Sequence, residues 1–199
     1  MRDDFDSIVP ARYERRHNRF TRWLGRLLVH WSGWRIAGKL PDIPKVVVAV
    51  APHTSNWDFV LGVMFLFALD VKIAFLGKHT LFKGLFGGFM RSIGGIPVDR
   101  SQPHGVVGEC IAAIQAADRM LFALSPEGTR RLDKGFKTGF LHIAHGAGVP
   151  ICLAYFDFAN KTLGFGPLFN TTGDVTRDLE HIVAFYKPIK GRYWKTWQQ

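Results

Sequence analysis

From Lys45 onward the apolar positions fall into blocks of strand length and helix length that follow one another in turn. KVVVAVA is a short continuous apolar run. FVLGVMFLFAL is too long for a typical strand and reads as a helix, and KIAFL and GGIPV return to strand length. A helical HGVVGECIAAIQAA and a strand RMLFALS come next, followed by KTGFLHIAHGAG as a helix ended by glycines and VPICLAYFDF as a further strand. TTGDVTRDLEHIVAFY closes the series as a helix entered through a Thr or Asp cap. Buried strands separated by helices predict an α/β architecture with helices covering the sheet.

The first 40 residues follow a different pattern. Arg12, Arg15, Arg16, Arg19, Arg22 and Arg26 are interleaved with Phe20, Trp23, Leu24, Leu27, Leu28 and Trp31 at helical spacing, which predicts a basic amphipathic helix. Two roles are open to it. It can lie in a membrane interface with Arg on phosphates and Trp and Leu in the acyl boundary, or it can cover the core with its apolar stripe and leave the arginines solvated. The C-terminal YWKTWQQ is also basic and aromatic. No repeat or low-complexity linker divides the chain. Its 199 residues, 47% hydrophobic, suit one domain over 1–199, with a basic segment at 1–40 and a core at 45–157.

Charge narrows the partners. With 26 Lys+Arg against 16 Asp+Glu, the formal net charge is +10, so the surface attracts anions such as lipid headgroups, phosphorylated metabolites, an acidic carrier protein or nucleic acid. The chain has none of the usual nucleic-acid recognition motifs, and no nucleic-acid partner is expected. Cys110 and Cys152 sit in apolar runs without CxxC spacing, which predicts packed thiols in a reducing compartment. The N-terminus lacks the pattern of a secretory signal, and the longest apolar stretch, 59–69, falls well short of the ~20 residues that span a bilayer. A cytoplasmic protein, peripheral at the inner face of the membrane, is the expectation.

KVVVAVAP delivers the chain to His53 at a strand-to-helix corner, where Thr54 or Ser55 can cap the helix that carries Asp58. Ligands of α/β sheets bind beyond the carboxyl ends of the strands, which places this histidine well for catalysis. Five residues separate His53 from Asp58, a spacing that does not share one helix face, so His53 must precede the helix if the two are to meet. A carboxylate so placed would fix the imidazole tautomer and support the imidazolium. A His and an Asp five apart carry little alone, and the downstream segments give the pair its meaning.

PHTSNWD, GGIPVDR, SPEGTR and VPICLAY match, in order, the four motif blocks of the glycerolipid acyltransferases, which include the lysophosphatidic acid acyltransferases. The resemblance runs from about His53 to Tyr155, over half the chain. It implies a mixed, largely parallel sheet flanked by helices. It also implies His53 as general base, Asp58 as its orienting partner, and Arg100, Glu127, Gly128, Thr129 and Arg130 as acceptor-binding residues. Gly128 permits close backbone approach, Thr129 offers a hydroxyl and Arg130 a planar fork for paired phosphate oxygens. Glu127, when ionised, cannot ligate phosphate directly and is expected to hold the loop or Arg130. Lys78 and Lys137 fall where the family often has basic residues and are further substrate-contact candidates. Pro52 stands where many relatives have Asn, and Leu153 where a second proline is usual.

The activity implied is transfer of a fatty acyl chain from acyl-CoA or acyl carrier protein to a lysophospholipid hydroxyl, chiefly of 1-acylglycerol 3-phosphate, with an anionic membrane surface as partner. Glycerol 3-phosphate, lyso-ornithine lipid and other lysophospholipids are the rival acceptors, and a non-catalytic basic membrane module is the rival from another class. No cofactor or metal is expected, because His142 and His145 lack a nearby Glu or Cys at zinc-site spacing.

Overall fold

The computed structural model describes residues 5–98, 103–127 and 135–192. Its apolar runs become the strands of one seven-stranded sheet: β1 (Arg35–Ala37), β2 (Lys45–Val50), β3 (Ala74–Lys78), β4 (Gly95–Val98), β5 (Met120–Leu124), β6 (Ile151–Asp157) and β7 (Thr162–Phe169), in the order β1-β7-β6-β2-β5-β3-β4. Every pairing is parallel except β6 with β7. The sheet is therefore mixed and largely parallel, as expected. Its helices are α1 (Phe5–Ile8), α2 (Arg19–Ser32), α3 (Asn56–Leu69), α4 (Gly84–Ser92), α5 (Pro103–Ala116), α6 (Gly139–Ala147) and α7 (Val175–Tyr186).

Central β2 shows why its run is continuously apolar. Successive side chains point to opposite faces of a sheet covered on both. Val46 and Val48 pack with Leu61, Phe65 and Leu69 of α3, whereas Val47 and Ala49 pack with Ile114 of α5, Ile143 of α6 and Ile182 of α7. The flanking strands alternate in the same way, with Leu121 and Cys152 in the first layer and Phe122 and Ile151 in the second. Both cysteines are buried free thiols, and burial pushes Cys110 up to about 11 and Cys152 up to about 12. Tyr186 of α7 donates its hydroxyl to the Ala49 carbonyl at 2.7 Å and the Ala154 carbonyl at 3.2 Å, tying that helix to the carboxyl ends of β2 and β6. Neither strand loses a buried carbonyl to desolvation there.

The N-terminal helix is shorter than the Arg and aromatic pattern that predicted it, and two orientations had been open to it. It starts at Arg19, capped by the Asn18 side chain, because the chain before it is extended against residues 70–72. The Arg16 amide donates to the Asp70 carbonyl, and the Arg15 guanidinium reaches the Leu69 and Val9 carbonyls. Arg22 pairs with Asp70 at 3.7 Å, and Arg26 binds Asp6 and the Ala68 carbonyl. These half-buried arginines tie the helix and the chain before it to α1 and α3 instead of being freely solvated. The large apolar side chains point the other way, with Phe20, Trp23 and Trp31 exposed. α4, β1 and β7 are elements that the apolar pattern did not announce. Gly87 and Gly88 interrupt the first of these, β1 is only three residues long, and Gly164, Gly166 and Pro167 break the strand pattern of the third.

The contact face of α2 is set by Gly25, where a Cβ would lie 2.4 Å from the Ala68 backbone nitrogen. Substituting Gly25→Ala gains ~1 kcal/mol of helix propensity but forces two backbones apart, a cost of roughly 1–3 kcal/mol. The overpacking dominates, so the variant's urea midpoint is expected to fall. A midpoint at or above wild type would mean that α2 does not lie this close to α3.

Candidate active site

The chain leaves β2 through a cis Ala51–Pro52 bond and turns into α3, with His53 two residues before the cap. Ser55 is the cap. Its hydroxyl accepts from the Trp57 amide at 2.9 Å, while the Asp58 carboxylate reaches back to the Ser55 amide at 2.6 Å, completing a reciprocal capping box. The same Asp58 Oδ2 stands 3.6 Å from His53 Nδ1. One carboxylate therefore caps the helix and faces the imidazole, which explains a five-residue separation that no single helix face could serve. Asp58 is fully enclosed, and the His53 side chain is 26% exposed. That leaves the ring reachable from solvent with its Nδ1 directed inward.

Glu127 closes the arrangement from the neighbouring strand. β5 pairs in parallel with β2, so the residues just past both carboxyl ends meet. The Glu127 carboxylate accepts the His53 backbone amide at 2.8 Å. Glu127 thus grips the backbone of the candidate base, a contact that the sequence reading did not name. Burial pushes its carboxyl up to about 7; the His53 amide works against this shift and the nearby Asp58 charge adds to it. Lys137 is exposed, and its backbone amide donates to the Pro126 carbonyl beside Glu127. Lys78 is exposed at the end of β3, separated from β2 by β5. Arg100, Gly128, Thr129 and Arg130 lie outside the described residues.

An apolar groove of about 640 Å³ opens beside α3, lined by Leu24 and Leu28 of α2, Trp57, Val60 and Met64 of α3, and Phe89 of α4. Lys161 and Arg192 supply its cations, and Arg192 lies over the Trp57 ring at 4.8 Å. Arg192 reaches this place because Gly191 packs against Pro52 and Thr54, on either side of His53, where a Cβ would approach within 2.8 Å of Pro52. Sequence reasoning missed both groove and arginine. The nearly unbroken apolar run of α3 gave no sign of a cleft, and Arg192 is 139 positions from His53. Among the described residues, no group of three or more His, Cys, Asp or Glu could hold a metal ion, and His142 stands exposed on α6.

The model of the family described as Acyltransferase matches residues 38–156. The chain belongs to the Acyltransferase family. It is 29% identical over 140 residues to a 1-acyl-sn-glycerol-3-phosphate acyltransferase from Haemophilus influenzae, covering 65% of this chain and 56% of that protein. It is 31% identical over 110 residues to the Escherichia coli protein of the same name, covering 52% of this chain and 44% of that one. The chain thus spans about half the length of these curated relatives. The crystal structure of the 1-acyl-sn-glycerophosphate (LPA) acyltransferase from Thermotoga maritima shares the fold, with a TM-score of 0.54 at 18% identity over 82% of this chain and 75% of that one. Within the Acyltransferase match fall His53, Asp58 and Glu127, while α2, α7 and Arg192 lie outside it.

Glu127 makes a testable contribution to stability. Its proton is held more tightly in the folded chain, up to about 7, than at the ordinary 4.5. The folded state therefore binds more protons than the unfolded state between those values, and stability from this group falls as pH rises through the window. The loss is on the order of 3 kcal/mol. Glu127→Gln keeps an acceptor for the His53 amide but does not titrate. In urea unfolding between about pH 5 and about pH 8, wild type should lose more stability than the variant. Parallel curves would show that Glu127 is not buried as an acid.

Proposed function

We propose that this protein transfers a fatty acyl chain from acyl-CoA or acyl carrier protein to the free hydroxyl of a lysophospholipid, most directly 1-acylglycerol 3-phosphate, at an anionic membrane surface. The observation that carries the reading is the His53–Asp58 pair at the capped start of α3, beside an apolar groove with cations in its wall. The names of the Haemophilus influenzae and Escherichia coli relatives support the acceptor.

In this mechanism Nε2 of His53 accepts the proton of the acceptor hydroxyl as its oxygen attacks the thioester carbonyl. Asp58, facing Nδ1, holds the ring in the tautomer that leaves Nε2 free to accept and offsets the imidazolium charge. The tetrahedral intermediate collapses, the carbon–sulfur bond breaks, and His53 returns its proton to the leaving thiolate. An ester and a free thiol are the products, and no covalent acyl-enzyme, cofactor or metal takes part. The groove is of a size that takes a lipid-like ligand, roughly 300–1,000 Å³, and its walls suit an acyl chain. Arg100, Gly128, Thr129 and Arg130 remain the motif residues proposed for the acceptor, with Glu127 proposed to hold their loop.

No helix of the described residues is long and apolar enough to cross a membrane. Attachment at the cytoplasmic leaflet is proposed through surface elements such as α2, whose Phe20, Trp23 and Trp31 face outward.

Incubation of the purified protein with labelled acyl-CoA or acyl carrier protein and a panel of lysophospholipids tests the reading. Product should form with 1-acylglycerol 3-phosphate and fall by about 10²-fold or more in His53→Ala with its fold intact. Near-normal turnover by that variant would sink the mechanism, and no product with any acceptor would leave only a membrane-binding module.

A further inference from the structure

The segment between β3 and β4 carries apolar side chains that the core does not use. Phe82, Met90 and Ile93 are buried and anchor it, whereas Leu81, Leu85, Phe86 and Phe89 are turned out. Leu85 is 98% exposed, and Phe86 is 50% exposed and packs on Phe89 at 5.9 Å. The presentation is rigid. Gly87 lies so close to the preceding 3-10 turn, His79–Phe82, that a Cβ would meet the Phe82 carbonyl. α4 is thereby folded down on that turn, and the leucine and phenylalanine project from it.

Charge and position say what covers this tip. Lys78, His79, Lys83 and Arg91 are exposed around it, and no acidic residue occurs between Val71 and Val98. Phe89 shares the groove with Leu24 and Leu28 of α2, and Arg16 donates to the Ser92 carbonyl, joining the end of α4 to the approach to α2. Phe20, Trp23 and Trp31 of the same helix α2 are exposed as well. A projecting apolar tip with a cationic rim suits fluid hydrocarbon beneath anionic headgroups, which make no demand on shape. An acidic protein would be met by the rim alone.

We propose that α4 and its preceding turn form a lipid-inserting element that docks on an anionic phospholipid bilayer together with α2, so that the groove opens at the membrane surface. The use of the groove for acyl transfer rests on the function proposed above, but the docking does not. Leu85 and Phe86 insert, while Lys83 and Arg91 lie among the phosphates.

Flotation of the full chain with phosphatidylcholine vesicles, with and without phosphatidylglycerol, tests this for wild type, Leu85→Glu/Phe86→Glu and His53→Ala. Wild type and His53→Ala should bind the anionic vesicles, and the double variant should bind them about tenfold more weakly or worse with an unchanged circular dichroism spectrum. Acyl transfer by the double variant should persist in detergent micelles and drop on vesicles. Undiminished flotation of the double variant would overturn the proposal. So would lipid-free self-association of wild type that the double substitution abolishes, because a second copy would then be the occupant. Flotation that depends on Leu85 and Phe86 without acyl transfer under any condition would uphold the docking and remove the function.

Discussion

One carboxylate serves two ends in this fold. Asp58 closes the capping box that starts α3 and at the same time faces His53. An ionised carboxylate buried without partners would be expensive, but here the Ser55 amide and the adjacent imidazole compensate it, and the positive end of the helix lies beside it. Helix start and candidate base are therefore one local structure, and any change that frays the helix also releases the histidine.

The sheet holds that unit from two sides. Parallel pairing of β2 with β5 brings Glu127 under the His53 amide, and parallel pairing of β2 with β6 lets Tyr186 clamp both strand ends. The groove is assembled from α2, α3 and α4, elements distant from one another in sequence. The reacting groups are placed by short-range geometry, whereas the apolar walls depend on tertiary packing.

That division explains what could be read beforehand. The α/β sheet was legible in the largely apolar runs at 45–51 and 149–158, and a cap at Thr54 or Ser55 in the residue types before Asp58, of which the structure uses Ser55. The orientation of α2 was not. Helical spacing of Arg with Trp and Leu says nothing about which set faces the protein, and a single glycine, Gly25, decides it through close contact with α3. α4 escaped notice because its glycines lower helix propensity, yet Gly87 is what allows it to pack. Arg192 could not be linked to the site from sequence, since only the folded chain carries Gly191 onto Pro52 and Thr54.

The most direct measurement is the acyl-transfer rate of Asp58→Asn beside its thermal midpoint. Asparagine retains an oxygen to accept the Ser55 amide, so the cap survives, while the charge facing His53 is lost. A rate reduced by roughly 10²–10⁴-fold at a near-wild-type midpoint is the result predicted. Transfer at the wild-type rate would contradict the account, because Asp58 would then be a helix cap and nothing more.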